Sequence, residues 1–255
     1  GTLVVSWFTS LYFEQPTIMR HAWQHHSAKI GPETREQWLG YWVRRSEDNG
    51  KTWEVPCRTT VTAPHGPITL KDGRLIYVGA GDGIAVEESR DDGITWRQIA
   101  KIPTPPSIYA EEPHVVECSD GRLVAMFRNE HPDLAQRFLG QSESEDGGRT
   151  WTTIHRTKIW GCPPHLICLS DGRLLLVYGH RRPPYGQRAC LSCDNGRTWD
   201  LQHEITLTDA PDGDLGYPAS TQLSDGSILT IYYQKDQPDE KPCLMGTHWR
   251  LPKQR

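Results

Sequence analysis

Several features that would assign a protein to a common functional class are missing from this 255-residue chain. No apolar run approaches the ~18 residues that a membrane-spanning helix needs, and the chain does not open on a signal-peptide pattern. The net charge is only −4 and the basic residues are dispersed, so we predict neither a nucleic-acid nor a membrane surface. We expect a soluble protein, and nothing in the sequence indicates its compartment or its oligomeric state.

The spacing of metal ligands typical of zinc sites is also missing. The seven cysteines are an odd number, and Cys190-x-x-Cys193 has no second pair of the same kind. Structural zinc needs four ligands, so a lone pair argues against such a site. Cysteines within apolar runs are interpreted as reduced, buried thiols. We expect neither a metal nor a cofactor.

Phenylalanine is scarce, with four residues, whereas there are ten tryptophans, and a repeat explains the excess. Four similar octapeptides, each of the form Ser-x-Asp-x-Gly-x-Thr-Trp, begin 43, 55 and 48 residues apart. They are Ser46–Trp53, Ser89–Trp96, Ser144–Trp151 and Ser192–Trp199. Ser and Asp oxygens accept backbone N–H groups and Gly permits a positive φ, so each octapeptide is predicted to be a turn. The period is that of one unit of a propeller or solenoid.

A second repeat alternates with the first. Asp-Gly pairs lie between apolar alternating runs, which is a strong hairpin signal. They are Asp72-Gly73, Asp120-Gly121, Asp171-Gly172 and Asp225-Gly226. Each unit therefore has the order strand, Asp-Gly turn, strand, variable loop, strand, Ser-x-Asp turn, strand. Four antiparallel strands per unit predict an all-β fold, a β-propeller of four-stranded blades.

We expect about five blades in a single domain over residues 1–255. The opening Gly1-Thr2-Leu3 matches the step that follows each hairpin Asp, so the first blade is expected to lack its inner strand. An upstream segment and an unusual closure of the ring both remain open as explanations.

The propeller topology predicts where chemistry would take place. Loops between second and third strands share one end of the propeller with the starts of the inner strands, so side chains from every blade gather there. Several arginines fall at this end, and their planar forks suit carboxylates, although single loop arginines often pair locally. The candidates at this end are His65, Asp82, Glu112, His114, Arg128, His165, Arg181, Arg182, Arg188 and Tyr217.

With its Ser-x-Asp-x-Gly-x-Thr-Trp turns, known as Asp boxes or BNR repeats, the chain resembles the sialidase (neuraminidase) superfamily. The segment from Glu112 to Asn129 and the segment from Gly216 to Tyr233 are similar to segments that carry the family's catalytic residues. The resemblance implies a six-bladed propeller, with Tyr217 as nucleophile, Glu112 as its base and Arg128 in a carboxylate-binding triad. Arg182 and Arg188 are both candidates for a second triad arginine. We also count His114 and His165 among the substrate-binding residues.

The implied activity is release of a terminal sialic acid, or a related acidic sugar, with retention. Sialic acid carries a carboxylate on its anomeric carbon, and a neutral tyrosine avoids the repulsion that an anionic nucleophile would meet. A tyrosine with a pKa near ~10 needs an adjacent base, the role implied for Glu112. The family's acid/base aspartate lies in a first-blade loop, but no Asp precedes Asp48. Asp82, Glu33 and Glu36 are therefore the candidates for that role.

We expect an exo-α-sialidase-like glycoside hydrolase whose partner is an anionic glycan. Two alternatives stay open, because Asp boxes mark a fold and not an activity. One is a propeller enzyme that acts on another glycan, containing uronate or rhamnose, with the histidines as acid/base groups. The other is a propeller that binds carbohydrate without catalysis.

Overall fold

The computed structural model describes residues 1–15 and 21–251. Its strands form five antiparallel sheets, arranged as the blades of a propeller. Blade 1 contains β1 (Leu3–Thr9), β2 (Gly40–Ser46) and β3 (Cys57–Thr59). Blade 2 contains β4 (Ile68–Thr69), β5 (Leu75–Gly81), β6 (Gly83–Ser89) and β7 (Arg97–Lys101). Blade 3 contains β8 (Ala110–Glu117), β9 (Leu123–Asn129), β10 (Phe138–Ser144) and β11 (His155–Trp160). Blade 4 contains β12 (Pro164–Cys168), β13 (Leu174–His180), β14 (Gly186–Ser192) and β15 (Ile205–Asp209). Blade 5 contains β16 (Gly216–Gln222), β17 (Ile228–Gln234) and β18 (Cys243–Trp249).

The predicted fold class is confirmed. Every sheet pairs strands that follow one another in the sequence, as expected for blades joined by hairpins. Blades 2, 3 and 4 each have four strands, with β4, β8 and β12 as the inner strands. In blade 1, β1 lies at the sheet edge and pairs with β2 alone among the described residues, so the described part of this blade has three strands.

Among the described residues between β1 and β2 there are two short helices. They are α1 (His21–Ser27) and α2 (Pro32–Trp38), and a 3-10 turn precedes them at Tyr12–Glu14. Arg35, on α2, connects these elements. Its guanidinium forms an ion pair with Glu14 of the 3-10 turn and donates to the carbonyl oxygen of Ser27, on α1, at 2.8 Å. The β1–β2 connection occupies the same end of the propeller as the β5–β6, β9–β10 and β13–β14 connections. Within the described ranges, no helix is long and apolar enough to cross a membrane.

The four octapeptide turns, hereafter the Asp boxes, repeat one set of hydrogen bonds. In each, the Ser hydroxyl donates to the Asp side chain and accepts from the Gly N–H, at 2.8–2.9 Å. The Thr hydroxyl donates to the second Asp oxygen at 2.6–2.7 Å. In the first box, the Thr52 hydroxyl and backbone N–H lower the pKa of Asp48 to about 2. The boxes are thus self-contained turns, as predicted.

Alternate residues on the second strand of each blade pack against opposite neighbours. In blade 3, Leu123 and Ala125 belong to a cluster with Ile76 and Val78 of blade 2. The intervening Val124 and Met126 pack with Leu174 and Leu176 of blade 4. The same alternation places Leu175 and Val177 against Ile228 of blade 5. Blades 2 to 5 are therefore joined by three apolar clusters, one between each pair of neighbouring blades, which hold their inner strands side by side.

Candidate active site

Glu112 and Tyr217 occupy equivalent positions in two blades. Glu112 lies eight residues before the hairpin Asp120, and Tyr217 lies eight residues before Asp225. Both residues have positive φ, 45° and 51°, and the register of β8 and of β16 shifts at that point. A bulge re-aims a side chain, and a positive φ is costly for a residue other than glycine. The backbone is therefore bent at both positions.

The two side chains meet directly. The Tyr217 hydroxyl donates to Glu112 Oε1 at 2.5 Å. The second oxygen of Glu112 accepts from Arg128 Nη1 at 2.7 Å, and that nitrogen lies 3.5 Å from the Tyr217 oxygen. The structure thus brings together three residues that the sequence singled out, from β8, β9 and β16. We call this group the Tyr–Glu–Arg cluster.

The electrostatics of the cluster favour a protonated tyrosine beside a base. Burial raises the pKa of Tyr217 above its ordinary value, and the hydrogen bond to the Glu112 carboxylate raises that pKa further. The phenol therefore keeps its proton at neutral pH, with an acceptor already in place. Glu130 pairs with Arg128, and its other oxygen accepts from Arg137 Nη1 at 2.9 Å. Arg128 is consequently held between two carboxylates.

Arg181 is the second arginine at the cluster, and the sequence reasoning did not select it for this role. Its Cζ lies 5.8 Å from the centre of the Tyr217 ring. Its Nε donates to the Leu215 carbonyl oxygen at 2.7 Å, and its Nη2 donates to the Tyr233 hydroxyl at 3.3 Å. No carboxylate of the described residues forms an ion pair with it. Its charge is therefore available to a ligand.

Arg182 and Arg188, the two candidates from the sequence, lie elsewhere. The Arg182 guanidinium stacks on the Trp160 ring at 4.5 Å. Arg188 is only 4% exposed, and it donates to the carbonyl oxygens of Thr208, at 2.9 Å, and Pro184, at 3.2 Å. Neither side chain contacts the cluster in the described structure.

Strand alternation is the signal that would have identified Arg181. Arg128 lies five residues after Leu123, the residue that follows the blade 3 hairpin, and Arg181 lies seven after Leu174, its equivalent. Both separations are odd, so continuing the alternation of β13 beyond its end at His180 puts Arg181 on the face equivalent to that of Arg128, and Arg182 on the opposite face.

A cavity of about 310 Å³ adjoins the cluster through Arg181. Three of its lining residues are arginines and one is a tryptophan. The full lining is Leu134, Ala135, Arg137, Trp160, Cys162, Arg181 and Arg182. Small-ligand sites typically have volumes of ~300–1,000 Å³. The cavity offers positive charge beside apolar surface.

The acid/base candidates from the sequence stand apart from the cluster. Asp82 lies in the β5–β6 turn with a fully exposed side chain, and it accepts from Lys101 Nζ at 2.8 Å. That hydrogen bond lowers the pKa of Asp82, which opposes a role as a proton donor. Glu33 and Glu36 are exposed on α2. None of the three has a hydrogen bond or ion pair to the cluster in the part of the chain that is described.

Glu111 has a different environment, and the sequence reasoning missed it. The residue is exposed to solvent, and partial burial of its carboxyl group, together with the nearby carboxylates of Glu130 and Glu112, raises its pKa. A carboxyl group with a raised pKa is suited to donate a proton near neutral pH. Its position directly before Glu112 was visible in the sequence, but its electrostatic surroundings were not.

His114 and His165, predicted to bind substrate, are buried deeper along the inner strands, at 6% and 9% exposure. Their rings stack with centroids 4.3 Å apart. Their contacts are with each other, with His65 and with neighbouring backbone. Neither forms a hydrogen bond with the cluster, because both lie further along the inner strands than Glu112 and Tyr217.

Several known proteins are similar to this chain in sequence. A family described as BNR repeat-like domain matches residues 20–230. A sialidase of Bacteroides fragilis is 21% identical over 221 residues, covering 74% of this chain and 38% of that protein. A xyloglucanase of Paenibacillus sp. is 24% identical over 165 residues, covering 56% of this chain and 16% of that protein. The chain thus spans well under half the length of these curated relatives.

Two solved structures show the same fold. A protein of unknown function from Dyadobacter fermentans has a TM-score of 0.76 and 28% identity, covering 84% of this chain and 65% of that chain. A leech intramolecular trans-sialidase has a TM-score of 0.63 and 17% identity, covering 84% of this chain and 37% of that chain. These matches confirm the resemblance that the Asp boxes indicated.

Proposed function

We propose that this chain, which belongs to the BNR repeat-like domain family, is a retaining glycoside hydrolase of the sialidase type. The observation that carries the proposal is the hydrogen bond from the Tyr217 hydroxyl to Glu112 Oε1, at 2.5 Å. A buried phenol against a carboxylate is the pair that a tyrosine nucleophile needs. The similarity to the Bacteroides fragilis sialidase supports the same function.

In the first step the Tyr217 oxygen attacks the anomeric carbon while the bond to the leaving oxygen breaks. The phenol proton passes to Glu112 as the new bond forms, and the leaving oxygen takes a proton from a carboxylic acid. In the second step water attacks the same carbon and gives a proton to that acid's carboxylate, while the bond from that carbon to the Tyr217 oxygen breaks. The proton on Glu112 returns to the Tyr217 oxygen. Two inversions at one carbon give net retention.

Glu111 is our preferred proton donor for the leaving group. Its raised pKa keeps a larger fraction of the acid form at neutral pH, whereas Lys101 holds Asp82 in the ionised form. Glu33 and Glu36 remain candidates from the helical insertion. A variant series at these four positions, assayed with a poor leaving group, tests the assignment, because the true donor matters most there.

Arg128 and Arg181 form the proposed clamp for the substrate carboxylate. Arg128 is already paired with Glu112 and Glu130, whereas Arg181 has no carboxylate partner among the described residues. Guanidinium groups recognise carboxylates through paired N–H donors. The adjoining cavity, which Arg181, Arg182 and Arg137 line, adds further positive charge. We therefore propose an anionic sugar as the substrate.

A glycan hydrolase without sialidase specificity is the second candidate. Two observations favour it: the acid candidates from the sequence lie apart from the Tyr–Glu–Arg cluster, and a xyloglucanase is among the similar proteins. Such an enzyme would use the same pair on a different sugar.

A panel of fluorogenic glycosides, with an α-sialoside, uronides and xylosides, distinguishes the two candidates. Tyr217→Phe is the test variant, and Tyr232→Phe is the control because its hydroxyl bonds to the Thr247 hydroxyl at 2.8 Å and not to the cluster. We expect α-sialoside turnover that Tyr217→Phe abolishes and Tyr232→Phe preserves. Turnover of a neutral glycoside alone would support the second candidate, and turnover unaffected by Tyr217→Phe would contradict both.

A further inference from the structure

Three histidines meet at the axis of the propeller, apart from the Tyr–Glu–Arg cluster. His65 precedes β4, His114 lies on β8 and His165 lies on β12, so they come from three consecutive blades. The ring of His65 is 5.3 Å from that of His114 and 4.9 Å from that of His165, edge to face. The His114 and His165 rings are stacked at 4.3 Å, with 11° between their planes.

Two of these rings tie one blade to the next. The backbone N–H of Leu166, on β12, donates to His114 Nδ1 at 2.9 Å. The backbone N–H of Ser220, on β16, donates to His165 Nδ1 at 3.3 Å. An inner strand is a sheet edge, and its outward N–H groups lack strand partners. Each histidine therefore satisfies one such donor on the neighbouring blade.

These bonds require neutral histidines. A backbone N–H can only donate, so Nδ1 must carry a lone pair and the proton must lie on Nε2. The titratable groups that act on His114 are His165 and His65 alone, and His65 alone acts on His165. No carboxylate of residues 1–15 and 21–251 acts on either ring to stabilise a positive charge. Burial lowers the pKa of all three, which keeps Nδ1 an acceptor at neutral pH.

The two bonds join the strands that carry the reacting pair. Glu112 lies two residues before His114 on β8, and Tyr217 lies three residues before Ser220 on β16. Between them lies β12, and the equivalent position, directly before this strand, is occupied by Pro163, which cannot contribute a polar side chain. The separation of Glu112 and Tyr217 is therefore set across an intervening blade.

We propose that His114 and His165 are positioning residues, whose Nδ1 atoms fasten β8 to β12 and β12 to β16 and so hold Glu112 at hydrogen-bond distance from Tyr217. They act through the backbone and do not touch the sugar. The proposal rests on the proposed function only in the experiments that measure turnover. The Tyr217–Glu112 hydrogen bond can be observed without turnover.

Amide substitutions test the role of the Nδ1 acceptor independently of the rest of the imidazole ring. In His165→Asn the amide oxygen lies near the place of Nδ1, whereas in His165→Gln it lies near the place of Nε2. The two variants have the same functional group and differ in its reach. The same pair is made at His114. His203→Asn is the control, because His203 is exposed and pairs with Asp200 in a surface turn.

The first readout is the ring Cζ chemical shift of Tyr217 in protein labelled with ¹³C-tyrosine, assigned from the spectrum of Tyr217→Phe. This signal reports the hydrogen bond to Glu112 whether or not the protein turns over a sialoside. We expect the wild-type shift in the Asn variants and in His203→Asn. We expect a displaced or broadened signal in the Gln variants, with circular dichroism confirming that each is folded.

The second readout is the separation of kcat from KM on whichever glycoside the panel identifies. We expect the Gln variants to lose about tenfold in kcat, which corresponds to ~1.4 kcal/mol, with KM little changed and with rescue in the Asn variants. An unchanged Tyr217 signal in the Gln variants would overturn the proposal. So would an equal loss in the Asn and Gln variants. If no glycoside is turned over, the proposed function fails while the Tyr217 signal still decides the positioning role.

Discussion

The two ends of this propeller use the same repeat in opposite ways. At one end the four Asp boxes form the same bonds, and their Thr–Asp distances agree to within 0.1 Å. At the other end, the position eight residues before each hairpin Asp holds Pro64, Glu112, Pro163 and Tyr217 in turn. Positions that repeat specify the blade, whereas positions that depart from the repeat carry the proposed chemistry.

The substitution with the largest predicted effect disrupts the end that carries Glu112 and Tyr217 and leaves the Asp-box end intact. Glu112→Gln keeps the shape of the side chain and a hydrogen bond to Tyr217 but removes the base. We expect kcat to fall by about 10²–10⁴, the usual contribution of a general base. The thermal midpoint should stay close to that of the wild type. A variant with normal turnover would contradict the assignment of Glu112, and a large fall in the midpoint would mark it as a structural residue.

Acid should destabilise the two ends in different pH ranges. Burial lowers the pKa of His65 to about 4 and of His165 to about 3, so the unfolded chain binds more protons below its ordinary histidine pKa of ~6.5. The contribution of these neutral histidines to the unfolding free energy is fully present above that pH. As the pH falls toward 4, the unfolding free energy decreases by up to ~1.4 kcal/mol per pH unit for each histidine. In the Asp boxes, Asp48 and Asp91 have pKa values of about 2, so their contribution is lost only below ~4.

Urea unfolding between pH 7 and 3 measures this difference. We expect the slope of unfolding free energy against pH between 6.5 and 4.5 to fall in the double variant His114→Asn/His165→Asn. An unchanged slope would show that other groups take up the protons.

A substitution in an Asp box destabilises the opposite end of the propeller. Ser144 is 2% exposed, and its hydroxyl bridges Asp146 and the Gly148 N–H. Ser144→Ala leaves that buried N–H without a partner, which should cost about 1–3 kcal/mol of unfolding free energy. Turnover at temperatures well below the midpoint should remain normal. A loss of activity in the folded variant would show that the two ends are coupled.

The substitution with the smallest predicted effect tests which arginine binds the substrate carboxylate. Arg181→Lys keeps the charge and removes the planar fork, and Arg182→Lys is the matched control next to it. We expect KM for an anionic glycoside to rise about tenfold in the first variant, or ~1.4 kcal/mol, and to change little in the second. Equal effects would mean that both arginines bind the substrate.

The sequence predicted the fold well because the Asp boxes and the Asp-Gly hairpins are local turns, each of which occurs in four of the five blades. Segments similar to those of a known family also singled out Glu112, Arg128 and Tyr217, three side chains that the structure brings together. Arg181 was missed because it lies two residues further from its hairpin than Arg128 does, just beyond the end of β13. The roles of His114 and His165 depend on N–H groups of neighbouring blades, which no local pattern reveals.

The measurement that tests the account most directly is rapid-quench mass spectrometry during turnover of an activated α-sialoside. The account predicts a sialyl group on the peptide that contains Tyr217, in the wild type and not in Tyr217→Phe. The adduct should appear and decay on the timescale of turnover. Turnover with no adduct on Tyr217, or with an adduct on Glu112, would contradict the assignment of Tyr217 as the nucleophile.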